Sequence, residues 1–212
     1  MVDKKALYQA ILEGDANQSK SLAEEAVKEG VDPKSLLDES MIPAMDEVGR
    51  LFESDEYFVP ELLIAARAMR SALEVIKPLL AETGAKPVGS VAIGTVKGDL
   101  HDIGKNLVAA MLEGGGFEIV DLGVDADPAL FVSAVKEKGV NVVALSALLT
   151  TTMPGMKKVI EELESAGVRG QTKVMVGGAP VTQRFAEEIG ADGYSASATG
   201  AVALARQFIG AA

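Results

Sequence analysis

The chain has 212 residues, 48% hydrophobic and 24% charged, enough apolar mass for a full α/β domain and a smaller helical one. A formal net charge of −11 opposes the polyanionic backbone of nucleic acid, and zero cysteines with a single histidine exclude disulfides, thiolate metal sites and multi-histidine zinc sites. No run of about 18 apolar residues occurs, and Met1-Val2-Asp3-Lys4-Lys5 lacks the apolar core of a signal peptide; the expectation is a cytoplasmic protein with no nucleic-acid and no membrane partner.

From Lys4 to about Ala81 the apolar residues recur at helical spacing. Leu7, Ile11 and Leu12 share a face of a first helix, closed by Gly14 and Asp15, and Leu22, Ala26 and Val27 mark a second that runs to Gly30. Asp32-Pro33 is an N-cap with proline in the first turn, opening a third helix through Leu36, Leu37 and Met41 to about Leu51, with a kink predicted at Pro43. After Tyr57-Phe58-Val59, Pro60 opens a fourth helix whose stripe of Leu62, Ala65, Ala66, Met69, Leu73 and Ile76 reaches Leu80. This predicts an N-terminal four-helix bundle over residues 1–83.

Thr83-Gly84-Ala85-Lys86-Pro87 breaks the pattern and reads as a linker, with 84–87 as its core and a second domain over 88–212. Strands are predicted at Val88–Thr95, Phe117–Asp121, Val140–Ser146, Lys173–Gly177 and near Gly193–Ser195. Helices fit at about Ile103–Glu113, Pro128–Lys138, Pro154–Ala166, Gln183–Ile189 and Ala198–Ile209. Alternation of short apolar strands with helices predicts an α/β domain, a flavodoxin-like or Rossmann-like five-stranded parallel sheet of order 2-1-3-4-5 with ligands at the carboxyl ends of its strands.

The unusual residues gather at those ends. The run Val96-Lys97-Gly98-Asp99-Leu100-His101-Asp102-Ile103-Gly104 follows the first strand, Ser146-Ala147-Leu148-Leu149-Thr150 ends the third, and Gly177-Gly178-Ala179 ends the fourth. A neutral imidazole ligates transition metals, and a loop can project it from the sheet. Asp99 can accept the other ring N–H and Ser146 can extend that network. Glycines at 98, 104, 177 and 178 allow close approach of a ligand, and Thr150 and Ala179 leave a slot. Each residue alone also fits a blander role, as a surface histidine, a turn glycine or a helix cap, and the chemistry alone leaves metal, nucleotide and flavin open.

Asp99-Leu100-His101-Asp102-Ile103-Gly104 resembles the D-x-H-x-x-G signature of base-off, histidine-on cobalamin-binding domains. The family's S-x-L element stands at Ser146-Ala147-Leu148, after 41 intervening residues (105–145), and its G-G element at Gly177-Gly178 after a further 28 (149–176). The stretch Glu56-Tyr57-Phe58-Val59-Pro60-Glu61-Leu62-Leu63 is similar to the helical cap that precedes this domain in methionine synthase and in the corrinoid proteins of methyltransferase systems.

The resemblance implies a cobalamin or related corrinoid bound through His101 as lower axial cobalt ligand, with Asp99 and Ser146 as its network. It places the nucleotide tail in a slot lined by Ser146, Leu148, Thr150, Gly177 and Gly178, adds Gly98, Asp99, Asp102, Ile103, Gly104 and Ala179 as further cofactor contacts, and nominates Phe58, Leu62, Ala65 and Met69, one helical face, as cover for the upper side. It implies a methyl carrier, with Co(I) taking the methyl group to give methylcobalamin's Co(III), and a catalytic residue on no part of this chain. The implied partners are a substrate:corrinoid methyltransferase, a methylcorrinoid:acceptor methyltransferase using tetrahydrofolate or a thiol, and a reductive activase. Methanol, methylamine, aryl methyl ether, betaine and thiol donors all fit, with a lean toward an O-demethylase system that no residue supports. The alternatives are a B12-dependent mutase subunit, a cobalamin-binding regulator and a flavin-binding module.

Overall fold

Aspartate and proline set the helix starts in the first part of the chain. Asp15 accepts the Gln18 amide and Asp32 the Ser35 amide, each satisfying an N–H that the first turn leaves without a partner. The computed structural model describes residues 4–82, 84 and 87–210. Helices α1 (Lys4–Leu12), α2 (Ala16–Lys28), α3 (Pro33–Leu36), α4 (Ile42–Glu53) and α5 (Val59–Glu82) form the first part. The expected third helix divides: a π turn over Leu37–Met41, in which the Ile42 amide donates to the Leu37 carbonyl, separates α3 from α4. Pro43 explains it. Proline lacks the N–H and its ring collides with the carbonyl four residues back, so widening one turn absorbs the misfit that the sequence predicts as a kink.

The predicted linker falls partly on Thr83, Ala85 and Lys86, which lie outside the described residues. Contacts divide the chain into two compact units, one formed by residues up to Pro87 with Glu113–Gly116, the other by Val88–Leu112 and Phe117 onward. In the helical unit Leu7, Ile11, Leu36, Met41, Met45, Leu62, Met69 and Ile76 are buried. Alanines at 23, 26, 65, 68 and 72 are buried as well, on the two longest helices of the unit, whose small side chains permit close packing.

The second unit alternates β1 (Ser90–Thr95), α6 (Ile103–Gly114), β2 (Glu118–Asp121), α7 (Pro128–Lys138), β3 (Val142–Ser146), α8 (Pro154–Ser165), β4 (Lys173–Gly177), α9 (Gln183–Ile189), β5 (Gly193–Tyr194) and α10 (Ala198–Ile209). The sheet is parallel throughout, in the order β2-β1-β3-β4-β5. Strands β1 and β3 begin two residues later than predicted. Asn141 lies between Val140 and the ladder, its side-chain oxygen accepting the Ser90 amide and its carbonyl the Lys173 amide. Phe131, Val143, Leu145, Met156, Leu163, Val174 and Val176 belong to one buried cluster. Burying each such side chain contributes about 1.5–3 kcal/mol before the entropic cost of ordering it.

Register fixes where the site can be. Thr95 pairs with Ser146, and Ser146 with Gly177, so the last residues of β1, β3 and β4 form one row across the sheet. The order steps from β1 to β2 on one side and to β3 on the other, and the loops after β1 and β3 part at that switch point.

Candidate metal and cofactor site

Strand β1 delivers the loop that carries the only histidine. Asp99 is completely buried, and the His101 side chain, two residues on, is 49% exposed. His101 Nδ1 lies 2.6 Å from Asp99 Oδ1, and the His101 amide donates to the same oxygen at 3.1 Å. The second carboxylate oxygen, Oδ2, accepts the Thr152 hydroxyl at 2.6 Å and the amides of Leu148 and Leu149 at 2.9 and 3.3 Å. Burial pushes the Asp99 carboxyl up, but hydrogen bonds from Thr152, from the His101 ring and from the amides of Leu148 and His101 outweigh it and hold the group well below the usual carboxylate range. An ionised carboxylate can only accept. Nδ1 of His101 therefore carries the proton, so in the neutral ring Nε2 is the nitrogen with a lone pair to give, on a side chain that is half exposed.

The main chain of the loop is held as well. Thr95, fully buried at the end of β1, donates its hydroxyl to the His101 carbonyl at 2.8 Å. Asp102 stands just before α6, its carbonyl accepting the Asn106 amide and its carboxylate the Asn106 side chain. In the first turn of α6 Lys105 is almost wholly buried, and its ammonium donates to both oxygens of Asp121 at 2.7 Å and to Asn106 at 2.7 Å. A lysine is tolerated there because its charge is paired and its donors are used.

Around the imidazole the surface is apolar. Leu100, Ile103, Leu148 and Leu149 are all exposed, Leu100 and Ile103 by more than two thirds. Large aliphatic side chains left open beside a polarised imidazole fit a broad, largely apolar ligand that would cover them. Gly104 supports the same reading, since a Cβ there would meet nothing within 4 Å and packing alone would admit alanine. Gly178 is different. Its φ is +127°, and a Cβ would fall 2.0 Å from the Ala147 carbonyl oxygen, so the fold itself requires glycine.

The predicted residues thus sort into groups. Gly98, Asp99, His101, Asp102, Ile103 and Gly104 stand together in the β1–α6 loop and the first turn of α6, and Leu148 and Thr150 in the exposed loop after β3. Gly177 ends β4, with Gly178 and Ala179 exposed beyond it. The hydroxyl on Asp99 belongs to Thr152 rather than to Ser146, which is half-buried at the last position of β3. The reason is the turn after β3: it folds back so that the Leu148 and Leu149 amides and the Thr152 hydroxyl converge on one carboxylate oxygen, beyond the reach set by the strand register. Thr95, Leu100, Leu149 and Thr152 belong to the site without having been singled out, and Thr152 is the third of three consecutive threonines that sequence does not distinguish. In the helical unit Leu62, Ala65 and Met69 are buried, whereas Phe58 is exposed. Among the described residues no group of three or more His, Asp or Glu side chains is placed to hold a metal ion, and no helix is long and apolar enough to cross a membrane.

Comparison with known proteins identifies the family. The B12 binding domain family matches residues 89–203, and a second family of the same description matches residues 4–77. The chain is 46% identical to trimethylamine corrinoid protein 1 of Methanosarcina acetivorans, over 93% of this chain and 92% of that one. It is 48% identical to the trimethylamine corrinoid protein of Methanosarcina barkeri over 92% and 91%, and 44% identical to dimethylamine corrinoid protein 1 of Methanosarcina acetivorans over 88% of each. Among solved structures, a cobalamin-binding protein from Desulfitobacterium hafniense superposes with a TM-score of 0.79 at 31% identity, over 98% of this chain and 99% of that one. The methanol:cobalamin methyltransferase complex of Methanosarcina barkeri gives 0.87 at 31% identity, over 99% of this chain and 80% of that one.

Proposed function

The chain belongs to the family of corrinoid proteins built from B12 binding domains, and on that premise we propose that it carries methyl groups in a methylamine:corrinoid methyltransferase system. One observation carries the site: a single exposed imidazole whose Nδ1–H is spent on a buried carboxylate, leaving Nε2 to ligate. When bound, the corrinoid would supply the methyl-transfer chemistry, and this chain would hold it through His101.

The chain's own residues bind, orient and hold charge. His101 Nε2 would hold the cobalt, and Asp99 fixes the tautomer and the orientation of the ring. Leu100, Ile103, Leu148 and Leu149 offer apolar surface that a bound ligand would cover, and the open space at Gly104 admits the ligand close to the backbone. Of the four cap candidates Phe58 is the one with surface to offer a ligand.

The donor assignment moves from the aryl ethers favoured on sequence to methylamines, because relatives 44%, 46% and 48% identical to this chain are named as trimethylamine or dimethylamine corrinoid proteins. The loading partner is a substrate:corrinoid methyltransferase, by analogy with the methanol complex. A methylcorrinoid:acceptor methyltransferase and a reductive activase complete the set. The test is to reconstitute the protein with cobalamin, reduce it, and supply its methyltransferase with trimethylamine, dimethylamine, methanol or an aryl methyl ether in turn. The methylated cofactor spectrum is expected with a methylamine, and methylation by methanol or an aryl ether alone would overturn the assignment.

A further inference from the structure

The loop after β2 grips the histidine loop through one residue whose backbone is strained. Asp125 sits at φ +50°, in the left-handed region that favours glycine and that aspartate tolerates better than most side chains. Its amide donates to the Asp99 carbonyl at 2.9 Å, and its Oδ1 accepts the Gly98 amide at 2.7 Å. One residue thus satisfies the main chain on both sides of the peptide that leads into Asp99.

The neighbouring contacts keep the two loops in register. Val96 bridges Ala126, the Ala126 amide donates to the Thr95 carbonyl at 2.9 Å, and the Lys97 ammonium donates to Asp127 at 2.6 Å. Asp99 is therefore held from two sides, its side chain by the turn after β3 and its backbone by Asp125. A glycine would adopt φ +50° without strain, so an aspartate there needs another reason, and the Gly98 acceptor provides one.

We propose that Asp125 is a positioning residue for the cobalt ligand: its carboxylate fixes the Gly98–Asp99 backbone, and through it the aim of the His101 ring. This rests on His101 being the lower ligand. In this account the Asp99–His101 pair has the right groups without Asp125 but not one fixed geometry, and the ring spends less of its time aligned for ligation.

Asp125→Gly and Asp125→Asn separate the two roles of the residue. Glycine relieves the strain and removes the acceptor; asparagine keeps a side-chain oxygen and a tolerance for positive φ. The proteins are loaded with cobalamin, and the ratio of histidine-ligated to unligated cofactor is read from the absorption spectrum. Expected is a fall of about tenfold in D125G, the factor that losing one charge-assisted hydrogen bond represents, with D125N close to wild type. In the cofactor-free protein, Gly98 amide exchange should accelerate by a similar factor in D125G alone. That second reading holds even if the variant loads poorly. An unchanged ratio and unchanged Gly98 exchange in D125G overturn the proposal. His101→Ala is the control: if its spectrum matches wild type, the ligand assignment itself fails, whereas loss in H101A with none in D125G removes only the role given to Asp125.

Discussion

The Thr152 hydroxyl lies 2.6 Å from Asp99 Oδ2, closing a contact between residues 53 positions apart. The Leu149 carbonyl is 2.8 Å from the same hydroxyl oxygen, but the charged and nearer acceptor takes the proton. Through this contact the turn after β3 reaches the histidine, because the carboxylate that accepts from Thr152 on one oxygen accepts the His101 Nδ1–H on the other. Replacing Thr152 with valine keeps the shape and leaves a buried charge one donor short. The expected loss is about 1.5–3 kcal/mol of cofactor-free stability. Ser146→Ala, which leaves that contact intact, should stay within about 0.5 kcal/mol. Urea unfolding of both variants checks the order, and equal losses would contradict the network described.

Gly104 and Gly178 should respond in opposite ways to the same change. At Gly104 an added Cβ meets nothing, and a first-turn glycine replaced by alanine is expected to raise cofactor-free stability by up to about 1 kcal/mol. Cobalamin binding should weaken, because the methyl group occupies space assigned to the ligand. At Gly178 the added Cβ collides with the Ala147 carbonyl at a strained φ, and a loss of about 3 kcal/mol or more is expected. Thermal unfolding and cobalamin titration distinguish the two. Unweakened binding in G104A would remove the argument for close approach there.

Replacing Leu100 with serine should leave the cofactor-free protein within about 0.5 kcal/mol of wild type, because the side chain is 72% exposed and packs little. Its value lies in the loaded state, where covering it withdraws apolar surface from water. The expected outcome is weaker cobalamin binding at unchanged stability, measured by titration and by thermal unfolding side by side. A loss of stability with binding intact would mean that the side chain serves the fold.

Asp192 gives a pH dependence whose sign can be worked out. Burial raises its pKa, but the Val174 amide, Lys173 and Arg169 all stabilise the charged form and bring it below the ordinary 3.8. With the folded value depressed, the unfolded chain binds more protons in that range. The contribution is therefore complete above about pH 4 and is lost as pH falls through the folded value. Asp192→Asn should cost about 1–3 kcal/mol at pH 7, with the gap to wild type narrowing as pH falls below about 4. Unfolding curves from pH 7 to acid check this, and a constant gap would contradict it.

The sheet and its order were legible because short apolar strands alternate with helices that open at Pro128 and Pro154, a local pattern. The histidine loop was legible because Asp99-Leu100-His101-Asp102-Ile103-Gly104 resembles a family signature; its residue chemistry alone left metal, nucleotide and flavin open. Thr152 was not, because a turn decides which of three adjacent threonines reaches Asp99, and turn geometry is a tertiary outcome. The π turn before Pro43 is of the same kind: sequence says that the helix must yield there, and only the structure shows that it does so by widening one turn over Leu37–Met41. Asp125 reads in sequence as one acid among several, and only its backbone conformation and its hold on Gly98 set it apart.

The central claim is that His101 Nε2 is the lower ligand of the cobalt, and the single histidine makes it directly testable. Protein labelled with nitrogen-15 at histidine alone is loaded with unlabelled cobalamin, brought to the Co(II) state, and examined by electron paramagnetic resonance. An axial nitrogen-14 splits each cobalt line into a triplet and a nitrogen-15 into a doublet. The account predicts doublets in the labelled protein and triplets in the unlabelled one; triplets in both would show that the axial nitrogen comes from the cofactor and not from His101.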